Sequence, residues 1–211
     1  MSTTRMVPTP QGPARVVTYR AREPRLTLVL THGAGGGIDA HDLLRVAGSL
    51  PRHGITVALI EMPWRVQGRK VAPRPALIDE AYRAVLTALR PRTPIVVGGR
   101  SAGARSACRI SVGSGVAGVV ALAFPLHPPG KPERSRVEEL LGASVPVLVV
   151  QGERDPFGTP AEFPDGCDLA VVPGGDHALR VAKKAAVSQD EALAIVVEAI
   201  LEWSVREVTG D

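Results

Sequence analysis

The sequence predicts an α/β fold with a doubly wound, mostly parallel sheet of about seven strands and helices on both faces. Three observations carry that expectation. Short apolar runs rich in Val, Ile and Leu recur along the chain and scarcely alternate with polar residues; strands buried on both faces read this way, and a parallel sheet buries both of its faces. Amphipathic segments of helical length lie between the runs, and repeated β-then-α units build this class. The chain also holds 22 Gly and 19 Pro in 211 residues, enough for many tight connections but below the level of a low-complexity chain.

The strand runs are VVTY (16–19), LTLVLTH (26–32), ITVALIEM (55–62), PIVVGG (94–99), GVVALAF (118–124), VPVLVVQ (145–151) and LAVVP (169–173). Helices are expected within 41–54, 75–91, 101–113, 136–143 and 188–208. In the last of these Ser188 and Glu191 form a capping box, and Ala192, Ile195, Val196, Ala199 and Ile200 keep helical spacing. The irregular stretches 63–75, 125–135 and 152–166 each follow a strand and should emerge at the carboxyl edge of the sheet, where ligands bind in open α/β folds. The length fits a single domain spanning 1–211, with 1–13 expected to be flexible.

Composition narrows the function classes. The 25 basic and 21 acidic residues are spread along the chain without a block of like charge, and aromatics are only 3%. Neither a basic arm nor a stacking platform is available, so no nucleic-acid partner is expected. Cys108 and Cys167 match no metal spacing and imply no disulfide, which fits a reducing compartment. The first residues carry no apolar leader, and no stretch reaches the roughly 18 apolar residues of a membrane span, so a cytoplasmic protein is expected. Oligomeric state is not written in the sequence.

The most informative segment is Gly98-Gly99-Arg100-Ser101-Ala102-Gly103, directly after a strand and before a helix. It satisfies G-x-S-x-G in the context which that motif requires. A serine at the tip of a strand-to-helix turn needs a strained backbone, and side chains two residues to either side would collide; glycine there removes the Cβ atoms. Ser101 is therefore the expected nucleophile, above a helix N-terminus that favours a developing oxyanion. A second glycine-rich turn, His32-Gly33-Ala34-Gly35-Gly36-Gly37, fails the dinucleotide pattern at Ile38 and lacks the G-K-[ST] of a phosphate loop. It reads better as a loop whose Ala34 N–H, or that of Gly33, joins the Ala102 N–H in an oxyanion hole, with His32 anchoring the loop.

A nucleophilic serine needs a base and the base an orienting group. His41 and His53 flank a helical segment and read as surface residues. His177, in PGGDH after the last strand, is the expected base. Asp155, in QGERDP after the preceding strand, is the expected acid, ahead of Asp176, Glu153, Asp165 and Asp168. The chain order Ser101, Asp155, His177, each at a strand end, is an order known for such triads.

With these motifs in place the sequence resembles the α/β-hydrolase-fold serine hydrolases from about residue 15 to the C-terminal helix, on HGAGG (32–36), GGRSAG (98–103), QGERD (151–155) and GGDH (174–177). More narrowly, THGAGG, PWRVQGRK, GGRSAGAR and FPLHPPGKPE are similar to a compact branch containing the testis-expressed hydrolase-like proteins, close to dienelactone-hydrolase-like enzymes. The resemblance implies a nucleophile at Ser101, an acid at Asp155, a base at His177 and an oxyanion hole at Ala34 and Ala102, with no metal and no organic cofactor. It departs from the wider family in an abbreviated N-terminal hairpin and in having no cap between the strands at 118–124 and 145–151.

Further candidates lie around this site. His127, in the Pro-rich turn 124–132, reads either as a pocket-lining residue or as a structural turn histidine. Arg65 and Arg69, with Lys70 and Arg74, sit in the loop after ITVALIEM, and Arg100 and Arg105 flank the elbow; they read as anion-binding groups or as solvated and ion-paired arginines. The expected function is a serine hydrolase cleaving an ester, thioester or related acyl bond of a small molecule. The competing reading is a non-catalytic scaffold on the same fold.

Overall fold

The structure is a computed structural model and describes residues 2–210. Six consecutive buried positions, Leu26–Thr31, make β3, and the similarly apolar β4 (Ile55–Glu61), β5 (Ile95–Arg100), β6 (Gly118–Leu122) and β7 (Val147–Gly152) follow. The last strand, β8 (Asp168–Val172), is half-exposed, as an edge strand is. These six strands run parallel, and β2 (Ala14–Tyr19) joins β4 antiparallel.

The segment 1–13, expected to be flexible, instead contains β1 (Ser2–Val7), paired antiparallel with β2 from Ser2 opposite Tyr19 to Val7 opposite Ala14. The N-terminal hairpin is thus not abbreviated, and the sheet has eight strands rather than about seven. Only Val7 of β1 is buried, so an outer-edge strand of this kind leaves no apolar run to read.

The helices α1 (His41–Ser49), α2 (Pro63–Val66), α3 (Pro75–Leu89), α4 (Ala102–Ser111), α5 (Val137–Leu141) and α6 (Gln189–Ser204) lie on two sides. On one, Ile78, Tyr82, Ala104, Ala107 and Leu140 pack with Val29, Ala58 and Val97. On the other, Leu43, Val46, Val196, Ile200 and Trp203 pack with Leu28, Leu59 and Val120. The capping box of α6 forms as expected: the Glu191 N–H donates to Ser188 Oγ at 3.3 Å, and the Ser188 N–H donates to Glu191 Oε2 at 2.7 Å.

The sheet order is β1-β2-β4-β3-β5-β6-β7-β8. The chain leaves β3 toward β4 on one side and returns to β5 on the other, so the strand order reverses between β3 and β5. Connections diverge there and open a crevice at the carboxyl ends. The turn after β3 and the turn after β5 meet in it. Nothing resembling a cap is inserted between β6 and β7, where residues 123–146 hold turns, a short 3-10 turn of helix at Pro132–Arg134 and α5.

Candidate active site

Ser101 occupies the tip of the β5–α4 turn with φ 54° and ψ −111°, a conformation that costs a non-glycine residue about 1–3 kcal/mol. Surrounding bonds over-determine it: the Ser101 N–H donates to the Leu122 carbonyl at 2.9 Å, and the Ser101 carbonyl accepts from the Arg105 N–H at 3.2 Å. The flanking glycines are sterically required. A Cβ on Gly99 would lie 2.7 Å from the Thr31 carbonyl and 2.8 Å from the backbone of Gly103, and one on Gly103 would lie 2.8 Å from the His32 carbonyl.

Below the elbow, Tyr82 of α3 places its hydroxyl 2.6 Å from the Val29 carbonyl and 2.8 Å from that of Gly98, and accepts the Gly98 N–H at 3.1 Å. Burial pushes this phenol well above its usual range, so it stays a neutral prop between β3 and β5.

The imidazole of His177 reaches the serine. Its Nε2 lies 2.9 Å from Ser101 Oγ, and its Nδ1 lies 2.8 Å from Asp155 Oδ2. An ionised carboxylate only accepts, so Nδ1 carries the hydrogen and Nε2 is left to accept from the hydroxyl. Asp155 is fully buried and also accepts from Gln151 Nε2 at 2.9 Å and from the Phe157 N–H at 2.8 Å. The Phe157 ring stacks on the imidazole with centroids 4.1 Å apart. The strands after which these three residues lie are β5, β7 and β8, with β6 contributing none.

The loops carrying Asp155 and His177 are tied together. Glu153 accepts from the Gly174 N–H at 2.6 Å, and the Arg154 N–H donates to the Gly175 carbonyl at 2.8 Å. Asp176 folds its own turn by accepting from the Ala178 and Arg180 N–H groups, and Asp168 pairs with Arg206; neither orients the ring.

The loop after β3 comes from the other side of the crevice. Gly33 lies against the serine, where an added Cβ would sit 3.3 Å from Ser101 Cβ. The N–H groups of Ala34 and Ala102 donate to no acceptor among the described residues, and the latter opens α4. His32 anchors the loop as expected: Nδ1 bonds the Gly33 carbonyl at 2.8 Å, and Nε2 accepts from the Met62 N–H at 3.0 Å. Trp64 meets its ring edge-on at 5.1 Å. Burial lowers its pKa from 6.5 to about 4, so it is neutral at physiological pH.

The remaining candidates are placed differently. His127 uses both ring nitrogens structurally, at 2.9 Å to the Pro128 carbonyl and 2.9 Å to Glu162 Oε2. Its N–H donates to the Phe157 carbonyl at 3.0 Å, so it braces the residue that stacks on His177. Arg69 lines a cleft of about 140 Å³ with Gln11, Trp64 and Leu77, and Arg65 lies close enough to His32 to disfavour its protonation. Neither arginine hydrogen-bonds to Ser101, Asp155 or His177 among the described residues. Arg105 and Arg109 are held by Glu139 and Asp79 in a network joining α3, α4 and α5.

Arg100, immediately before the serine, donates from Nη2 to the His177 carbonyl at 2.9 Å, while its Nε lies 3.3 Å from Oδ2 of the fully buried Asp42. Burial holds the Asp42 carboxyl above the usual range, with Arg100 pulling the other way. Sequence reasoning missed this role of Arg100, and it missed Gln151 and Phe157 altogether. Gln151 carries a readable signal, a lone polar residue closing the run VLVV; the other two carry none.

Known proteins agree with this architecture. The model of a family described as alpha/beta hydrolase domain matches residues 24–205. A lidless α/β serine hydrolase from Xanthomonas campestris is 18% identical with a TM-score of 0.74, over 96% of this chain and 94% of its own. A serine hydrolase homologue from Coxiella burnetii is 17% identical, also at 0.74, over 93% and 96%. A dienelactone hydrolase from Anabaena variabilis is 15% identical at 0.74, over 98% of each chain. With residues 24–205 matched by that family model, the chain belongs to the α/β-hydrolase domain family, in a form without a lid.

Proposed function

We propose that this α/β hydrolase is a serine hydrolase that cleaves an ester, thioester or related acyl bond of a small molecule through an acyl-enzyme on Ser101. One observation carries the reading: the unbroken chain from Ser101 Oγ through His177 to the buried Asp155, with contacts of 2.9 and 2.8 Å. As Oγ attacks the acyl carbon, Nε2 takes its proton, and the tetrahedral oxyanion collects on the N–H groups of Ala102 and Ala34. His177 then gives that proton to the leaving alcohol or thiol as the acyl–oxygen or acyl–sulfur bond breaks. Water, deprotonated by the same nitrogen, cleaves the acyl-enzyme and regenerates the serine. Asp155 fixes the tautomer and stabilises the imidazolium without taking the proton. His127, Arg65 and Arg69 have no step in this scheme.

The test is labelling with a fluorophosphonate probe beside turnover of a short activated ester. Native protein should label at a single site lost in Ser101→Ala, with turnover down by about three orders of magnitude or more in Ser101→Ala and His177→Ala. Full turnover in Ser101→Ala refutes the assignment. Folded protein that neither labels nor turns over favours the scaffold reading.

A further inference from the structure

We propose that the chain carries a second ligand site, at the amino-terminal edge of the parallel strands, that binds a small anion bearing two or more phosphate groups. The site is a cavity of about 660 Å³ where the sheet extends past the end of α3. That size lies within the range of about 300–1,000 Å³ typical of small-molecule pockets.

Its floor follows from strand register. Thr3 pairs with Thr18, Thr18 with Ala58, and Thr27 with Thr56. Directly opposed residues share a face, so four threonines from β1, β2, β3 and β4 line one surface, and all four border the cavity. Thr56 Oγ1 already accepts the Ala21 N–H at 3.2 Å, which leaves its hydroxyl hydrogen to donate. Thr3 and Thr18 have no side-chain partner among the described residues. Thr27 is held by Thr93 at 2.7 Å.

The rim is cationic. Arg5, Arg20, Arg22, Arg90 and Arg92 border the cavity, and no Asp or Glu among the described residues does. None of the five lies within ion-pair distance of a carboxylate among the described residues, unlike Arg105 and Arg109 beside the elbow. Arg5 spends one nitrogen on the Ala88 carbonyl at 3.0 Å, and Arg90 one on that of Thr87 at 3.3 Å, at the end of α3. Their other donors remain. Arg20 and Arg22 also border an adjoining open hollow of about 1180 Å³ with Arg52 and His53, where Glu23 is the acidic residue.

Five arginines bordering one hollow repel each other unless a counter-charge sits among them. Hydroxyls and guanidinium groups here offer donors, and phosphate oxygens accept from several at once with bidentate geometry. One phosphate would satisfy about two arginines, so five match a ligand with more than one. No aromatic side chain among the described residues lines the cavity, so it has no platform for a base, and the phosphates themselves are what it reads. β5 separates the site from Ser101 by its full length, about 20 Å for six residues, so the proposal stands independently of the chemistry at Ser101.

The experiment is calorimetric titration of the intact protein, at matched ionic strength, with inorganic pyrophosphate, orthophosphate, sulfate and a short single-stranded oligonucleotide. Pyrophosphate should bind at least tenfold more tightly than sulfate or orthophosphate. Arg22→Gln and Arg92→Gln, both at exposed positions, should each weaken it about tenfold, and Thr18→Val by less. Ester turnover should be unchanged in all three. Equal affinity for pyrophosphate and sulfate, or tighter binding of the oligonucleotide, overturns the proposal, as does pyrophosphate affinity indifferent to both arginine substitutions.

Discussion

Replacing Arg100 by Met tests whether the arginine before Ser101 holds His177 in place. The guanidinium bonds the backbone carbonyl of His177 at 2.9 Å, a charge-assisted bond of about 1.5–3 kcal/mol. Without it the His177 turn gains alternatives in which Nε2 is out of reach of Ser101. A barrier raised by about 1.4–2.7 kcal/mol corresponds to a loss of roughly ten- to hundredfold in kcat, with KM little changed because no substrate contact is removed. The substitution also strips Asp42 of the guanidinium 3.3 Å away. Breaking a buried ion pair on one side costs about 3–5 kcal/mol, and less where the orphaned carboxyl takes up a proton.

The pH dependence then has a definite sign. The Asp42 carboxyl lies above its unfolded value of 3.8, so over that window the native chain binds more protons than the unfolded one, and stability falls as pH rises through it. In Arg100→Met the window should extend to higher pH, since the favourable pull of the arginine is gone. Denaturant melts at several pH values, beside ester kinetics, check both halves. Adding Asp42→Asn to Arg100→Met should restore stability without restoring kcat, which separates positioning from folding. Wild-type kcat in Arg100→Met would refute the reasoning, and so would recovery of kcat in the double variant.

Two further outcomes follow from buried polar groups. Tyr82→Phe removes a hydroxyl that serves the Val29 and Gly98 backbones and should destabilise the chain by about 1–3 kcal/mol, read as a lower denaturation midpoint. His32 has a native pKa of about 4 against 6.5 unfolded. Its stabilisation is therefore complete above pH 6.5 and lost as pH falls toward 4, by about 3 kcal/mol in all, and His32→Asn should flatten that part of the stability profile.

The central sheet was legible because its strands are buried on both faces and leave uninterrupted apolar runs, as in LTLVLT and VLVV. The elbow was legible for a different reason: G-x-S-x-G records a steric requirement, and the close approaches at Gly99 and Gly103 are that requirement in place. β1 was not legible, since STTRM faces solvent and its order comes from pairing with β2. Nor could spacing show that Arg100 and Asp42, far apart in the chain, meet beneath the His177 turn. His127 illustrates the same limit: its Pro-rich setting was visible, but the partners that occupy both ring nitrogens come from its own turn and from Glu162, which only the folded loop supplies.

The uncovered carboxyl edge has a chemical consequence if Ser101 carries an acyl group. With no lid over the half-exposed Ser101 among the described residues, solvent would reach that ester, and a competing alcohol or amine would have to outrun water to capture it. Such an architecture favours hydrolysis of that intermediate over group transfer, unless an acceptor is held beside it by contacts of its own.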